Sequence, residues 1–428
     1  MASRRARARA MVWALFGLCW GPAAAGQDIL LSPKEQATSI HLGDTSYDPG
    51  DGFPLGPFRL HPFLRQQGEF DDNLFLEEED VTLGLYYQAT GGLRVDLLPG
   101  AHEISAGYKG RAYALLFSQG PSFEDGEAEA RYESRIEALT RLEHVAQLRG
   151  ALGFPWGRFA LTGVYERLSD PLNFAYTRHI RRDVWSGEFE GAAEWNRARF
   201  EGGAALIRYD FHGAFDYLDD VQWQVFGRAG WRVGSKFHLF AEYLYGRIEY
   251  GDLSASEESL FGSHGDLELH RVSGGARGHV TSKLEVLLQG GATYQRILGG
   301  PEQGGRTGFF GQVKVLWTAT ERLSFEGDYL RDVQISQLSS YQIVDRGELK
   351  GTWWFSPRAF AKVYTYVENT APSEGEDFFR YAVGFQIEYR LYRWLSSGCG
   401  WEWRARECDL PGSRFRNHRV FGHLTLIF

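Results

Sequence analysis

The hydrophobic and polar positions of this chain alternate with a period of two over much of its length. From Phe379 to Leu391 one face reads Phe379, Tyr381, Val383, Phe385, Ile387, Tyr389, Leu391, and the other reads Arg380, Ala382, Gly384, Gln386, Glu388, Arg390. That period belongs to an extended strand. A face that is aromatic and aliphatic for its whole length needs an apolar medium, and one carrying Arg and Glu needs water. Phe309, Gly311, Val313, Val315 and Trp317 oppose Phe310, Gln312, Lys314 and Leu316 in the same way, and Phe325, Gly327 and Tyr329 oppose Ser324, Glu326 and Asp328. The segments Phe237–Gly246 and Gly347–Phe355 repeat the pattern.

Connections between these stretches come in two lengths. Short Gly, Pro or polar turns fall at Pro99-Gly100, Pro155–Gly157, Asn196–Ala198, Gly234–Lys236, Thr281–Lys283, Thr320–Arg322, Ser356–Arg358 and Arg393-Trp394. Longer, more charged connections lie near 71–79, 119–139, 170–183, 213–219, 251–265, 299–306, 336–340, 370–376 and 407–414. The two kinds strictly alternate, and together they join eighteen strands whose two ends lie on one side. A large soluble β-sandwich also alternates, but its strands are usually about 5 or 6 residues long. The expected fold is therefore all-β: a closed antiparallel transmembrane β-barrel of about 18 strands, with short periplasmic turns and longer extracellular loops.

Composition agrees with strands. Aromatic residues make up 15% of the 428, Gly numbers 52 and Met only 2, so few of the usual apolar helix formers are present. At the start, Arg4, Arg5, Arg7 and Arg9, the apolar run Met11–Cys19 and the small residues Ala23-Ala24-Ala25 read as a secretory signal peptide over 1–26. The apolar run falls well short of the roughly 20 residues of a spanning helix. Without those four Arg, 42 Lys+Arg remain against 55 Asp+Glu, a formal charge of -13 that argues against a nucleic-acid partner. Cys399 and Cys408 then remain. On one extended segment, at about 3.3 Å per residue, they lie beyond disulfide reach. No Cys/His cluster offers a metal or cofactor site.

Residues 27–56 do not read as strands and form an expected periplasmic lead segment, leaving 57–428 as the barrel. The closing strand places Leu424, Leu426 and Phe428 on one face and ends on Phe428, which looks like the carboxy-terminal signal read by barrel-assembly machinery. Trp156, Trp195 and Trp394 sit at short turns, where amphipathic rings suit a headgroup boundary with outer-membrane lipid. Eighteen strands enclose an aqueous channel unless something plugs it. Its expected lining includes Lys314, Glu326, Asp328, Glu348, Lys350, Arg380, Glu388, Arg390, Glu402, Arg404 and Arg406, a mixed-sign set rather than the single-sign ring of a strongly ion-selective pore. The connection 119–139 is long enough to fold inward as a constriction or to form a short helix.

The run Gly68-Glu69-Phe70-Asp71-Asp72-Asn73-Leu74-Phe75, with the alternating strands that follow to Tyr108, resembles the opening of the β-barrel porin 2 family of outer-membrane proteins. The resemblance implies a bacterial outer-membrane location and association with exopolysaccharide biosynthesis and export. Its sharpest element is Asp71-Asp72-Asn73, also a plain turn former at a strand end, with a calcium site as the lesser reading. Three functions are then expected to compete: export of a secreted polysaccharide past aromatics such as Trp354, Tyr364 and Tyr366, general diffusion of small hydrophilic solutes, and anchoring of periplasmic export proteins. Enzyme activity is not expected. Gly262-Ser263-His264-Gly265 lies in a loop and is not the nucleophile elbow Gly-x-Ser-x-Gly.

Overall fold

The alternating stretches all become strands in the computed structural model. It describes residues 52–427 except 77, 79–80, 98–101, 121–132, 134–135, 137–138, 171–179, 214–218, 252–265, 299–303, 335–341, 373–376 and 409–413. The leader expected over 1–26, most of the segment 27–56, the turn at Pro99-Gly100, the run Gly262–Gly265 and Phe428 lie outside the described residues.

The strands are β1 (Phe53–Leu55), β2 (Phe58–Asp71), β3 (Leu83–Leu97), β4 (His102–Gln119), β5 (Arg141–Phe154), β6 (Gly157–Asp170), β7 (Ile180–Trp195), β8 (Ala198–Phe211), β9 (Asp220–Val233) and β10 (Phe237–Tyr250). There follow β11 (Asp266–Thr281), β12 (Leu284–Leu298), β13 (Gly304–Thr320), β14 (Leu323–Gln334), β15 (Gln342–Ser356), β16 (Ala359–Pro372), β17 (Phe378–Tyr392), β18 (Leu395–Cys408) and β19 (Phe415–Ile427). From β2 onward each strand pairs antiparallel with its successor, and β19 returns to β2 from Arg419↔Asp71 to Ile427↔Phe63, closing a ring of eighteen. Followed around that ring, the register comes back displaced by about 22 residues, which sets a strand tilt of about 40° and a backbone diameter of about 35 Å.

Tight turns close one rim. Asn196 turns at φ 56 and Gly234 at φ 69, left-handed conformations that these two residue types tolerate best. The short strand β1 falls inside the segment expected to lack strands. It pairs with Phe58, Arg59 and Leu60 on the side of β2 that β19 leaves bare, because β19 ends opposite Phe63. Those first residues of β2 would otherwise present an open edge, so β1 covers it.

The outer face is an apolar belt. Leu349, Phe309, Leu161, Val272 and Val363 are each more than half exposed. On β7, Trp185 and Trp195 are both exposed and stand ten residues apart. That separation is about 33 Å along the strand and about 25 Å in height at a 40° tilt, the span of an outer-membrane barrel's hydrocarbon band. Exposed Trp156, Trp231, Trp317, Trp353 and Trp394 extend the girdle around the turn rim. The protein is a transmembrane barrel of the bacterial outer membrane.

Candidate functional site

The same alternation that puts Leu and Trp outside turns charge inward. All eleven residues expected to line the lumen sit on the inner face of their strands, and the structure pairs most of them along the wall. Lys314 reaches Asp328 at 3.1 Å, and Lys350 reaches Glu348 at 3.1 Å with Glu326 opposite it in register. Arg380 is ion-paired with Glu368, and Glu402 accepts a hydrogen bond from Tyr364. Arg404 donates to Asn417 at 2.6 Å, and Arg406 lies 4.6 Å from the centre of the Phe378 ring. Glu388 lies 3.9 Å from His423, and Arg390 faces Ser396 in register.

Residues the sequence did not single out carry much of this network. Arg271 and Asp332 form a bidentate pair, both contacts at 3.0 Å, with side chains 1% and 0% exposed. The Arg271 guanidinium also sits 4.3 Å above the Phe310 ring. Arg228 bridges Glu201 at 2.8 Å and Glu242 at 2.8 Å, and Gln289 donates to Glu242 at 3.1 Å. These partners stand on different strands, so only the register could have announced them.

Aromatic side chains lie flat against the inner wall. The Tyr364 ring covers Gly384 of the next strand so closely that a Cβ there would come within 2.3 Å of it, and Phe421 covers Gly400 at 2.4 Å. Tyr364 and Tyr366 are buried and donate to Glu402 and Glu368. They therefore do not form the open stacking track expected of them, because the carboxylates hold them to the wall. Trp354 remains exposed on the inner face.

The Asp71-Asp72-Asn73 run lies where the ring closes. The β19–β2 strand register ends at Arg419↔Asp71, one more backbone bond runs from the Asp72 N–H to the His418 carbonyl at 3.1 Å, and two side chains carry the seam further. Asp72 receives the His418 backbone N–H at 2.6 Å, and Asn73 donates to the Arg416 carbonyl at 3.0 Å. Asp71 accepts from the Asn73 backbone N–H at 2.9 Å and from Asn417, with Arg419 at 3.5 Å and Arg404 at 3.6 Å. These oxygens are turned toward N–H donors and guanidinium groups, which favours a seam clamp over a calcium site.

Beyond the clamp, the chain folds into the loop-side mouth. Leu76, held at φ 54, packs on Tyr366, Ala382 and Phe415 of the inner wall. Leu74 and Phe75 pack with Leu139 against Tyr86, Leu115 and Ile136. The described end of the 119–139 connection thus turns inward together with the β2–β3 connection, and both narrow the mouth with apolar side chains. Cys399 and Cys408 share β18 and are free thiols, and Leu424 and Leu426 lie on its neighbour β19, with Leu424 exposed on the outer face.

No protein-family model and no curated protein sequence matches the chain. Among solved structures it is similar to OccAB3 of Acinetobacter baumannii, at 10% identity and a TM-score of 0.47 over 87% of this chain and 100% of that one. It is similar to the siderophore receptor PirA of Pseudomonas aeruginosa, at 8% identity and 0.43 over 86% and 80%. A bacterial polysaccharide outer membrane secretin matches at 11% identity and 0.35 over 86% and 98%. At TM-scores below 0.5 none of these bears on function, and the fold rests on the strand register itself.

Proposed function

We propose that this barrel is a passive channel that carries hydrophilic solutes across the outer membrane through a polar lumen. The observation that supports this reading most directly is the size of the closed wall together with its lining. Eighteen strands enclose more space than inward side chains fill, and many of those side chains are Arg, Lys, Glu, Asp and Gln. Such a surface lowers the barrier for hydrated solutes and raises it for apolar ones. The apolar strap at the loop-side mouth packs against the inner wall of that passage.

Export of a secreted polysaccharide is the second reading. It is supported by the resemblance of the Gly68–Phe75 run to exopolysaccharide-associated barrels and by exposed Trp354 on the inner face. Anchoring of periplasmic export proteins by a closed barrel is the remaining alternative. Purified protein in a planar bilayer separates them. Stepwise ion conductance supports a channel, and a folded, inserted barrel with no conductance contradicts it. Loss of surface polysaccharide on gene deletion, with small-solute permeability unchanged, favours export.

A further inference from the structure

One backbone place recurs around the tight-turn rim, immediately before each strand that leads back to the loop side. Trp156, Arg197, Lys236, Lys283, Arg322, Arg358 and Trp394 hold it ahead of β6, β8, β10, β12, β14, β16 and β18. In all seven the backbone carbonyl accepts an N–H from the strand after that one, at 2.7 to 3.0 Å. Five successive hairpins therefore present a cation at the same place, and the hairpins on either side present Trp. Successive turns are two strands apart, about 12 Å along a rim cut by strands tilted at about 40°. All five cations are exposed, and among the described residues none is ion-paired. Lys283 donates to the Ala319 carbonyl of the next turn at 2.9 Å, which leaves two of its three donors. Among the described residues of these turns Glu321 is the one carboxylate. The nearby carboxylates Glu194 and Glu285 are occupied by Arg199 at 3.0 Å and Arg277 at 3.5 Å. The chain as a whole carries a formal charge of -9, so five cations in one repeated place do not follow from composition.

The two Trp show what that place faces. Trp156 stacks on Phe154 at 5.4 Å and meets the outer-face ring of Phe159 edge-on at 5.7 Å, and Trp394 stacks on Tyr392 at 5.3 Å. A side chain held there reaches the membrane boundary. Four of the five cations also share a hairpin with an exposed Trp of the girdle, namely Trp195, Trp231, Trp317 or Trp353. The cations lie at the turn, just beyond those rings, at the depth of the headgroups. Long Lys and Arg side chains there lay their stems on apolar surface and keep the charge in the polar layer. Anionic phosphates complete them, and each such cation adds to the attraction.

We infer that the Arg197–Lys236–Lys283–Arg322–Arg358 arc binds the phosphate headgroups of anionic phospholipid in the periplasmic leaflet and seats the turn rim at that depth. The inference stands apart from the channel reading and does not require the barrel to conduct. The test is the association of spin-labelled phosphatidylglycerol, against spin-labelled phosphatidylcholine, with the full-length barrel in phosphatidylcholine vesicles. The expected result is a preference for phosphatidylglycerol of about twofold or more, falling toward parity in about 0.5 M salt. Arg197→Gln/Lys236→Gln/Lys283→Gln/Arg322→Gln/Arg358→Gln should lose most of the preference, whereas Arg197→Lys/Arg322→Lys/Arg358→Lys keeps it. Heat-modified gel mobility shows that each variant is folded, and Lys236→Gln/Lys283→Gln/Arg322→Gln replaces the fivefold variant if that one is not. Equal association of the two lipids with the wild type, or a preference unchanged in the folded Gln variants, overturns the inference. So does cosedimentation with isolated peptidoglycan that the Gln variants lose while their lipid preference stays, since the arc would then serve the cell wall.

Discussion

Replacing Asp71 by Ala removes the centre of the seam clamp. The carboxylate, 4% exposed, accepts from the Asn73 backbone N–H and from Asn417 and lies between the guanidinium groups of Arg404 and Arg419. Hydrogen bonds to a charged acceptor contribute about 1.5–3 kcal/mol each. Removing a buried carboxylate also leaves two cations facing each other, so the expected loss is about 3–5 kcal/mol. Urea unfolding of the barrel in lipid vesicles, followed by tryptophan emission, reads it directly. Asn417→Ala alone should lose about 1–3 kcal/mol, and the double variant should fall short of the sum by about 0.5–3 kcal/mol, because both singles break one network. Asp71→Ala within about 0.5 kcal/mol of wild type, or strictly additive losses, would refute the clamp. Chelator should leave the wild type unchanged. A chelator effect matching Asp71→Ala would restore the calcium reading.

Asp332→Ala should destabilise the barrel by about 3–5 kcal/mol through the stranded Arg271 charge, whereas Arg271→Met/Asp332→Leu recovers most of the loss in the same unfolding assay. Leu349→Arg, on the lipid face, should lose about 2–4 kcal/mol near the bilayer midplane, and Lys350→Gln on the inner face far less. Leu76→Ala removes the side chain that anchors a left-handed backbone disfavoured by about 1–2 kcal/mol, so the strap should release and single-channel conductance rise. An unchanged conductance in Leu76→Ala would mean that the strap does not limit the passage.

What the sequence disclosed is what the chain encodes locally. Period-two stretches such as Phe379–Leu391 commit each side chain to lipid or lumen, and turn formers such as Gly234 end strands within a residue or two of where the structure ends them. Strand number followed, because turn and loop lengths alternate. The contacts that required closure of the ring were not legible. Asp71 meets Asn417 across most of the chain, and Arg271 meets Asp332 three strands away. Their positions depend on register and on the accumulated shear, which no local pattern fixes. Tyr364 and Tyr366 looked like an open sugar track because their inward direction is local. Their engagement by Glu402 and Glu368 depends on side-chain packing in three dimensions. The edge strand β1 escaped notice because a three-residue strand has no period to display.

The central claim is that odd-numbered residues of β17 face lipid and even-numbered ones face the lumen. Single spin labels placed from Phe379 to Leu391 in a cysteine-free background, in lipid vesicles, test it through collisions with oxygen and with a water-soluble nickel complex. The account predicts that oxygen access peaks at positions 379, 381, 383, 385, 387, 389 and 391 and falls at each residue between them. Uniform access along the strand, or nickel access at the odd positions, would contradict it.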